Sequence, residues 1–417
     1  MKSEEIFALG LGLTPPWKLL SQRMDMSTNP STLHLEIGAE RGAQYPCPIC
    51  GTMCNSYDFD DKSWRHLNFF QYSCYLHARV PRVQCPEHGV HRVSVPWSRP
   101  GSRFTLLFEQ IVMSLAKEMP VNALARHVEV SDTRIWRIIR YYVHKAVNSL
   151  DLYNVMGIAL DETAAKRGHK YVTIFLDMAR DKKPVIFAVP GKGKECLSDF
   201  SDFLTKHNGK VDHILEVVCD MSPAFIAAVG EKFPMSEVTV DWFHVVQLFT
   251  RGVDEVRKLE AREIDMPSGT RWAILKGAQT KKTDRQEAAL DELLQRGLAT
   301  ATAYRIKEML RWVRESFDIK DARWRAKTFV KEARELVKDN DLLEPIRKAL
   351  GTFEAHVPRI LRRWISNFSN GRLESLNGVF QAARAKARGY RNVNYFITMI
   401  YLIGAPITDL LQVAIPH

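Results

Sequence analysis

Between residues 152 and 245, short apolar, β-branched runs alternate with amphipathic stretches, and this order restricts the chain to an α/β layout. The run VMGIAL (155–160) reads as a strand ending at Asp161. KYVTIFLDM (170–178) and PVIFAVP (184–190) follow as two further strands, joined by the turn-forming RDKK. A helix fits GKECLSDFSDFLTKH. HILEVVCD (213–220) then reads as a strand ending at Asp220, and EVTVD (237–241) as another ending at Asp241.

Three antiparallel strands followed by helix, strand, helix and strand is the order of a ribonuclease-H-like fold. In that sheet the first and fourth strands are neighbours, so Asp161 and Asp220 are expected side by side. Two hard carboxylates on neighbouring strands can bind Mg2+ through oxygen and leave positions for phosphate and water. Each Asp alone also reads as an ordinary turn or helix cap. A third acid is marked by its surroundings: from Arg359 to Arg391 there are eight Arg or Lys residues and one acid, Glu374. In SNGRLESLNGVFQAARAKARGYRN a helix starts at Asn370 and Gly371. Glu374, Asn377 and Gln381 then share one face, with Arg372, Arg384, Lys386, Arg388 and Arg391 on the flanks. A lone carboxylate among cations suits a place where acid meets metal and bases meet phosphates. The competing reading is a surface Glu neutralised by its neighbours.

Five of the seven cysteines fall within the first 85 residues. Cys47-Pro-Ile-Cys50-Gly and Cys85-Pro-Glu-His88-Gly are matched pairs, and together they supply four N/S donors for tetrahedral zinc. Gly51 and Gly89 relieve the tight turn after each pair. Cys54, Cys74, His66, His77 and His91 are alternative ligands, and free thiols in a reduced core are the competing reading. A zinc with four protein ligands is structural. Residues 101–150 read as helices: one from Phe104 to Lys117, then a short helix, a turn at Val128–Ser131 and a longer helix capped by Ser131. Arg134, Arg137 and Arg140 lie on its exposed side, as in a helix that enters a major groove; a solvated helical hairpin is the alternative. From about 246 to 360 the pattern is almost wholly helical and charged. A net charge of +11 makes nucleic acid or an anionic surface a suitable partner. The opening MKSEEIFALGLGLTPPW lacks the form of a cleavable signal. The apolar stretch Phe396–Ile415 is interrupted by Gly404, Pro406 and Asp409. A cytoplasmic, nucleoid-associated protein with no membrane role is expected.

CPICG with CPEHG, the helix-turn-helix, LDET, CDMS, DWFHVVQ and NGRLESLNG…ARGYRN stand in this order over nearly the whole chain. In these pieces the chain resembles the DDE-class bacterial insertion-sequence transposases, and within them the ISL-three family. The resemblance implies a catalytic triad of Asp161, Asp220 and Glu374. It also implies a ribonuclease-H-like core interrupted by an all-α insertion, which accounts for the 154 residues between Asp220 and Glu374. Asp241 and His244 match a supporting D-x-x-H element; a core histidine at a helix start is the alternative for His244. His88 stands where many relatives have Cys, and GVFQAARAK where they are Lys-rich. The expected layout is a zinc module over 1–98, a helix-turn-helix domain over 99–150, core segments over 151–254 and 358–417, and the helical insertion over 255–357. Two Mg2+ ions about 4 Å apart, or Mn2+ in their place, would be bridged by Asp161, with Asp220 on one ion and Glu374 on the other. The expected partners are the transposon's terminal inverted repeats, target DNA and at least a second copy of the chain on DNA. The alternatives are a non-catalytic zinc and helix-turn-helix regulator with a decayed nuclease fold, or a nuclease that cuts without joining.

Overall fold

The structure, a computed structural model, describes residues 3–40, 42–166, 170–277, 279–366 and 371–407, with side chains described from residue 7 and, in the last stretch, from residue 376. Its contacts fall into two compact units, one over Met1–Ala146 and one over Val147–Pro406.

The first unit opens with helix α1 (Ser3–Gly10) and strands β1 (Trp17–Asp25) and β2 (Thr32–Ala39). The two-residue pair β3 (Tyr45–Pro46) and β4 (Met53–Cys54) comes next, then β5 (Ser56–Arg65), β6 (Ser73–Cys85) and β7 (Gly89–Arg92). The main sheet has the order β1-β2-β6-β5, with β7 paired to the last residues of β6. Only Leu76–Gln84 was marked as β-like in the sequence, and the sheet is far larger. Strand β5 hides in the sequence because its Asp58 and Asp60 are held by Arg82 of β6 and Arg92 of β7, so cross-strand charge replaces apolar alternation. Below the sheet Leu35, Leu76, Val80 and Val83 are buried, and the Trp97 ring meets Trp17 and Trp64 edge-on at 5.0 and 5.5 Å. Three helices complete the unit: α2 (Leu106–Glu118), α3 (Val121–His127) and α4 (Asp132–Asn148). Helix α2 starts after Thr105, whose hydroxyl accepts from Phe108 N.

The second unit contains β8 (Gly157–Lys166), β9 (Lys170–Asp177), β10 (Val185–Pro190), helix α5 (Glu195–Lys206), β11 (Glu216–Cys219), α6 (Pro223–Lys232) and β12 (Glu237–Val240). The sheet order is β10-β9-β8-β11-β12, with the first three strands antiparallel and the last three parallel. Ile158, Phe175, Phe200, Val217 and Phe233 form its core with α5 and α6, and the rings of Phe175 and Phe200 stack at 4.4 Å. The expected strand at 213–220 is shorter than its apolar run, because Val211–His213 forms a 3₁₀ turn.

Strand β8 does not end at Asp161. Pairing with β9 continues from Asp161↔Ile174 to Lys166↔Lys170, and Thr163 and Ala165 go on alternating into the core. The apolar run stops at Leu160, but the hairpin's hydrogen bonds carry the strand onward. Asp161 therefore stands in mid-strand.

After β12 the chain is helical: α7 (Trp242–Glu260), α8 (Thr270–Leu275), α9 (Asp284–Gln295), α10 (Ala299–Arg314), α11 (Ile319–Val337) and α12 (Glu344–Leu361), which runs into a 3₁₀ turn at Arg362–Trp364. These helices share a core in which Phe249, Phe329 and Phe353 pack edge-on at 5.2 to 6.1 Å. The chain then returns to the sheet. Helix α13 (Gly371–Lys386) lies along β8, and α14 (Val393–Gly404) packs on β10, where Ala188 N donates to the Tyr401 hydroxyl at 2.9 Å. A Cβ on Gly404 would stand 2.6 Å from Val185, so only glycine permits that approach. The segment 408–417, read as a turn and short helix, lies outside the described residues, as does Asn370 at the expected start of α13. Among the described residues, no helix is long and apolar enough to cross a membrane.

Candidate functional site

Adjacent parallel strands bring the first two acids together. Strand β8 pairs with β11 through Ala159↔Val218, and continuing this register by two residues sets Asp161 level with Asp220 on the same face. Asp220 follows the end of β11, and its Oδ1 accepts from Ser222 N at 2.9 Å before α6 begins. Asp161 Oδ1 accepts from Glu162 N at 2.7 Å and lies 3.5 Å from His244 Nε2. Its Oδ2 accepts from Asn377 Nδ2 of α13. Asp241 caps α7 by accepting from Phe243 N, and its Oδ2 is 4.0 Å from His244 Nε2.

The electrostatics record how much negative charge converges. Burial works against charge on His244, but the hydrogen bond and charge of Asp161, with Asp241 and Asp220 behind, raise its pKa above the usual range. Glu162, which sequence reasoning passed over, is pushed up to about 7 by burial and then by Asp220, with Lys192 opposing. Its only signal in the sequence was its place beside Asp161. An excess of carboxylate that raises a neighbour's pKa suits a divalent cation, and the oxygen donors of Asp161 and Asp220 suit Mg2+. Position 374 lies on α13 one helical turn before Asn377; the Glu374 and Arg372 side chains lie outside the described residues.

Helix α13 presents one face to β8. Gln381 Nε2 donates to Thr163 Oγ1 at 2.5 Å and to Ala164 O at 3.1 Å, and Arg384 donates to Ala164 O at 2.6 Å. Arg384, expected at DNA, is thus turned to the strand. Lys386, Arg388 and Arg391 are exposed.

In the first unit, Cys47, Cys50, Cys85 and His88 bring their donor atoms within 4.8 Å of one another. Cys50 Sγ is 3.7 Å from Cys85 Sγ, and His88 Nδ1 is 3.5 Å from Cys85 Sγ and 4.0 Å from Cys47 Sγ. A tetrahedral zinc with ~2.3 Å bonds to sulfur needs edges of about 3.8 Å, so the Cys₃His set fits structural zinc. Hydrogen bonds from Thr52, ahead of the neighbouring thiols, hold the Cys50 thiol down to about 6, toward the thiolate a metal needs. Gly51 and Gly89 have φ of +78° and +75°, the left-handed turns expected after each pair. Cys54, Cys74, His66, His77 and His91 stand outside this cluster.

Helix α4 buries Ile135, Trp136, Ile138 and Ile139 and exposes Thr133, Arg134, Arg137 and Arg140. The turn before it holds Glu129 at φ +54°, and the Arg134 guanidinium lies 4.5 Å over the Phe104 ring. Beneath, the buried Glu109 carboxylate accepts from Arg99 at 2.9 Å and from Ser102 and Tyr142 at 2.7 Å, which ties α4 to α2. The arrangement is a helix-turn-helix with a basic outer face.

Comparison with known proteins gives three family matches in chain order. Residues 44–88 match the zinc-finger of transposases IS204, IS1001, IS1096 and IS1165; residues 93–143 match the helix-turn-helix domain of transposase family ISL3; and residues 158–400 match the ISL3-type DDE family described as transposase. A transposase for insertion sequence element IS1001 of Bordetella parapertussis is 26% identical over 85% of this chain and 87% of its own. A transposase for element IS1557 of Mycobacterium tuberculosis is 28% identical over 64% of this chain and 66% of its own. A chain from the cryo-EM structure of a simian T-cell lymphotropic virus intasome with a PP2A regulatory subunit aligns with 43% of this chain and 74% of that one, at 14% identity and a TM-score of 0.17, too low to bear on the fold.

Proposed function

Because the chain belongs to the ISL3 family of insertion-sequence transposases, carrying its zinc ribbon, helix-turn-helix and DDE transposase domains, we propose that it cuts and rejoins DNA with Asp161, Asp220 and Glu374. The observation that carries this is the level pairing of Asp161 and Asp220 on neighbouring parallel strands, with the Glu374 helix docked on the same strand. In this reading the sheet, its strand order and helices α5, α6, α13 and α14 are a ribonuclease-H-like core. Helices α8–α12 are the insertion that separates its last acid, within the domain limits expected from the sequence.

The triad would hold two Mg2+ ions, which when bound supply Lewis-acid activation of water or a 3′-hydroxyl and stabilise the leaving oxygen. The protein's own residues do the positioning. His244 and Asn377 hold the two oxygens of Asp161, fixing its rotamer. His244 also offers a proton donor beside the acids, kept charged by Asp161 and Asp241. Arg134, Arg137 and Arg140 read the terminal inverted repeat. Arg372, Lys386, Arg388 and Arg391 take phosphates near the site, and a second copy holds the other end. The protein acts in the cytoplasm, at the nucleoid.

Asp161→Asn, Asp220→Asn and Glu374→Gln are each expected to lower Mg2+-dependent nicking of a terminal-repeat duplex at least a thousandfold while binding stays within about twofold. Full nicking by any one of them removes that acid from the triad. A wild-type protein that binds but never nicks would be a regulator, and one that nicks but cannot join a pre-cut 3′ end would be a nuclease.

A further inference from the structure

The corner between α10 and α11 carries two features that folding does not explain. Phe317 is 92% exposed, the most exposed large apolar side chain among the described residues. Its backbone is nevertheless fixed. Phe317 N donates to Asp321 Oδ2 at 3.1 Å, Asp318 caps α11 by accepting from Asp321 N at 2.8 Å, and Ser316 O accepts from Trp364 Nε1 at 3.0 Å. The ring is therefore held into solvent on a firm mount, with the Arg325 guanidinium 5.9 Å from its centre. A single exposed apolar residue is ordinary; a rigidly presented ring in a ring of arginines is not.

The second feature is a pair of cations. Arg314 and Arg363 have no ion pair or hydrogen bond among the described residues, although Arg362 beside them pairs with Glu237 at 3.3 Å. Arg363 is partly buried; burial and then the charge of Arg314 hold its guanidinium below the usual range, and Asp241 acts the other way. Two like charges kept together without a carboxylate between them favour an anion, and guanidinium forks match phosphate oxygens. The corner is also tied to the acids. Trp364 meets Trp242 edge-on at 6.1 Å, and Trp242 directly follows Asp241.

We infer that this corner is a nucleotide subsite, in which Arg314 and Arg363 take the phosphate and Phe317 stacks on the base of one unpaired nucleotide beside the carboxylates. A flat apolar face next to a paired-cation site is matched by the two halves of one nucleotide, base and phosphate. A base within an intact duplex offers its face to nothing, so the ligand is a single-stranded or extruded nucleotide. This assignment rests on the transposase reading for its place in the reaction, and it names the strand feature which that site engages.

The test uses the full chain and two probes: a blunt duplex of arbitrary sequence, and the same duplex with a short single-stranded extension containing 2-aminopurine. The wild type is expected to bind the extended duplex roughly tenfold more tightly than the blunt one and to quench the 2-aminopurine. Phe317→Ala and Arg363→Gln should each remove the preference and, for Phe317→Ala, the quenching, while blunt-duplex binding and the melting temperature stay unchanged. Phe317→Trp should restore both. Absence of any preference in the wild type, or its survival in Phe317→Ala with quenching intact, overturns the subsite; a protein partner for the corner would give the first of these results. Mg2+-dependent nicking is read separately. Quenching that depends on Phe317 without nicking by the wild type sinks the transposase reading and leaves the subsite, whereas nicking with quenching indifferent to Phe317 does the reverse.

Discussion

Asp161 shows how much one side chain can be asked to satisfy. Its two oxygens take bonds from the Glu162 amide, His244 and Asn377, which come from a strand, a helix that follows the sheet, and a helix more than 200 residues later in the sequence. Residues that orient a metal ligand typically change metal affinity or activity by about 10–100-fold when removed. Accordingly His244→Ala and Asn377→Ala are expected to raise the Mg2+ concentration for half-maximal nicking by roughly that factor, with most of the rate recovered at saturating Mg2+. An unchanged Mg2+ titration would leave both residues a packing role only. Part of this was legible in the sequence. The D-x-x-H spacing sets His244 one turn from Asp241, and helical periodicity set Asn377 and Gln381 on one stripe. Glu162 was not legible, because its raised pKa depends on Asp220 across the sheet. Nor does any sequence signal separate Arg384, which bonds a strand carbonyl, from the arginines that face outward.

At the level of elements, buried carboxylates do work that alternation and periodicity do not reveal. Glu260, at the end of α7, is buried and accepts from Ala299 N at 2.7 Å and Thr300 N at 2.9 Å, so it closes the start of α10 from 39 residues away. It satisfies two amides and sits at the positive end of the helix dipole. Glu260→Ala leaves those donors unpaired in a dry site and is expected to cost about 2–4 kcal/mol, seen as a lower midpoint in urea unfolding; Glu260→Gln should cost less. A midpoint unmoved by Glu260→Ala would mean that water takes over the cap. Strands β9 and β10 and helices α2–α5 were readable because their apolar periods are clean. Strand β5 was hidden by acids that pair across the sheet. The second half of β8 was hidden because its partner strand, rather than its own apolar run, extends it.

On the scale of the molecule, two units with separate cores lead to an expectation about stability. The zinc knuckle belongs to the first unit, where Cys47, Cys85 and their neighbours are part of the core. Calorimetry of the full chain should therefore show two transitions, and a zinc chelator should lower or abolish one while leaving the other within about 2 °C. Terminal-repeat binding should be lost with the first. A single transition that falls as a whole on chelation would show the two cores to be thermodynamically one. Finally, the docking of α13 on β8 sets a clock on synthesis. Strands β8, β9 and β11 leave the ribosome well before residues 371–386 do, so the helix that bonds Asp161 arrives after both DNA-reading modules have had time to fold. A message cut short before that point yields a product able to occupy the element's ends yet missing the piece that completes the cutting site. Every such product is a competitor of the finished enzyme, and incomplete translation restrains the element that encodes it.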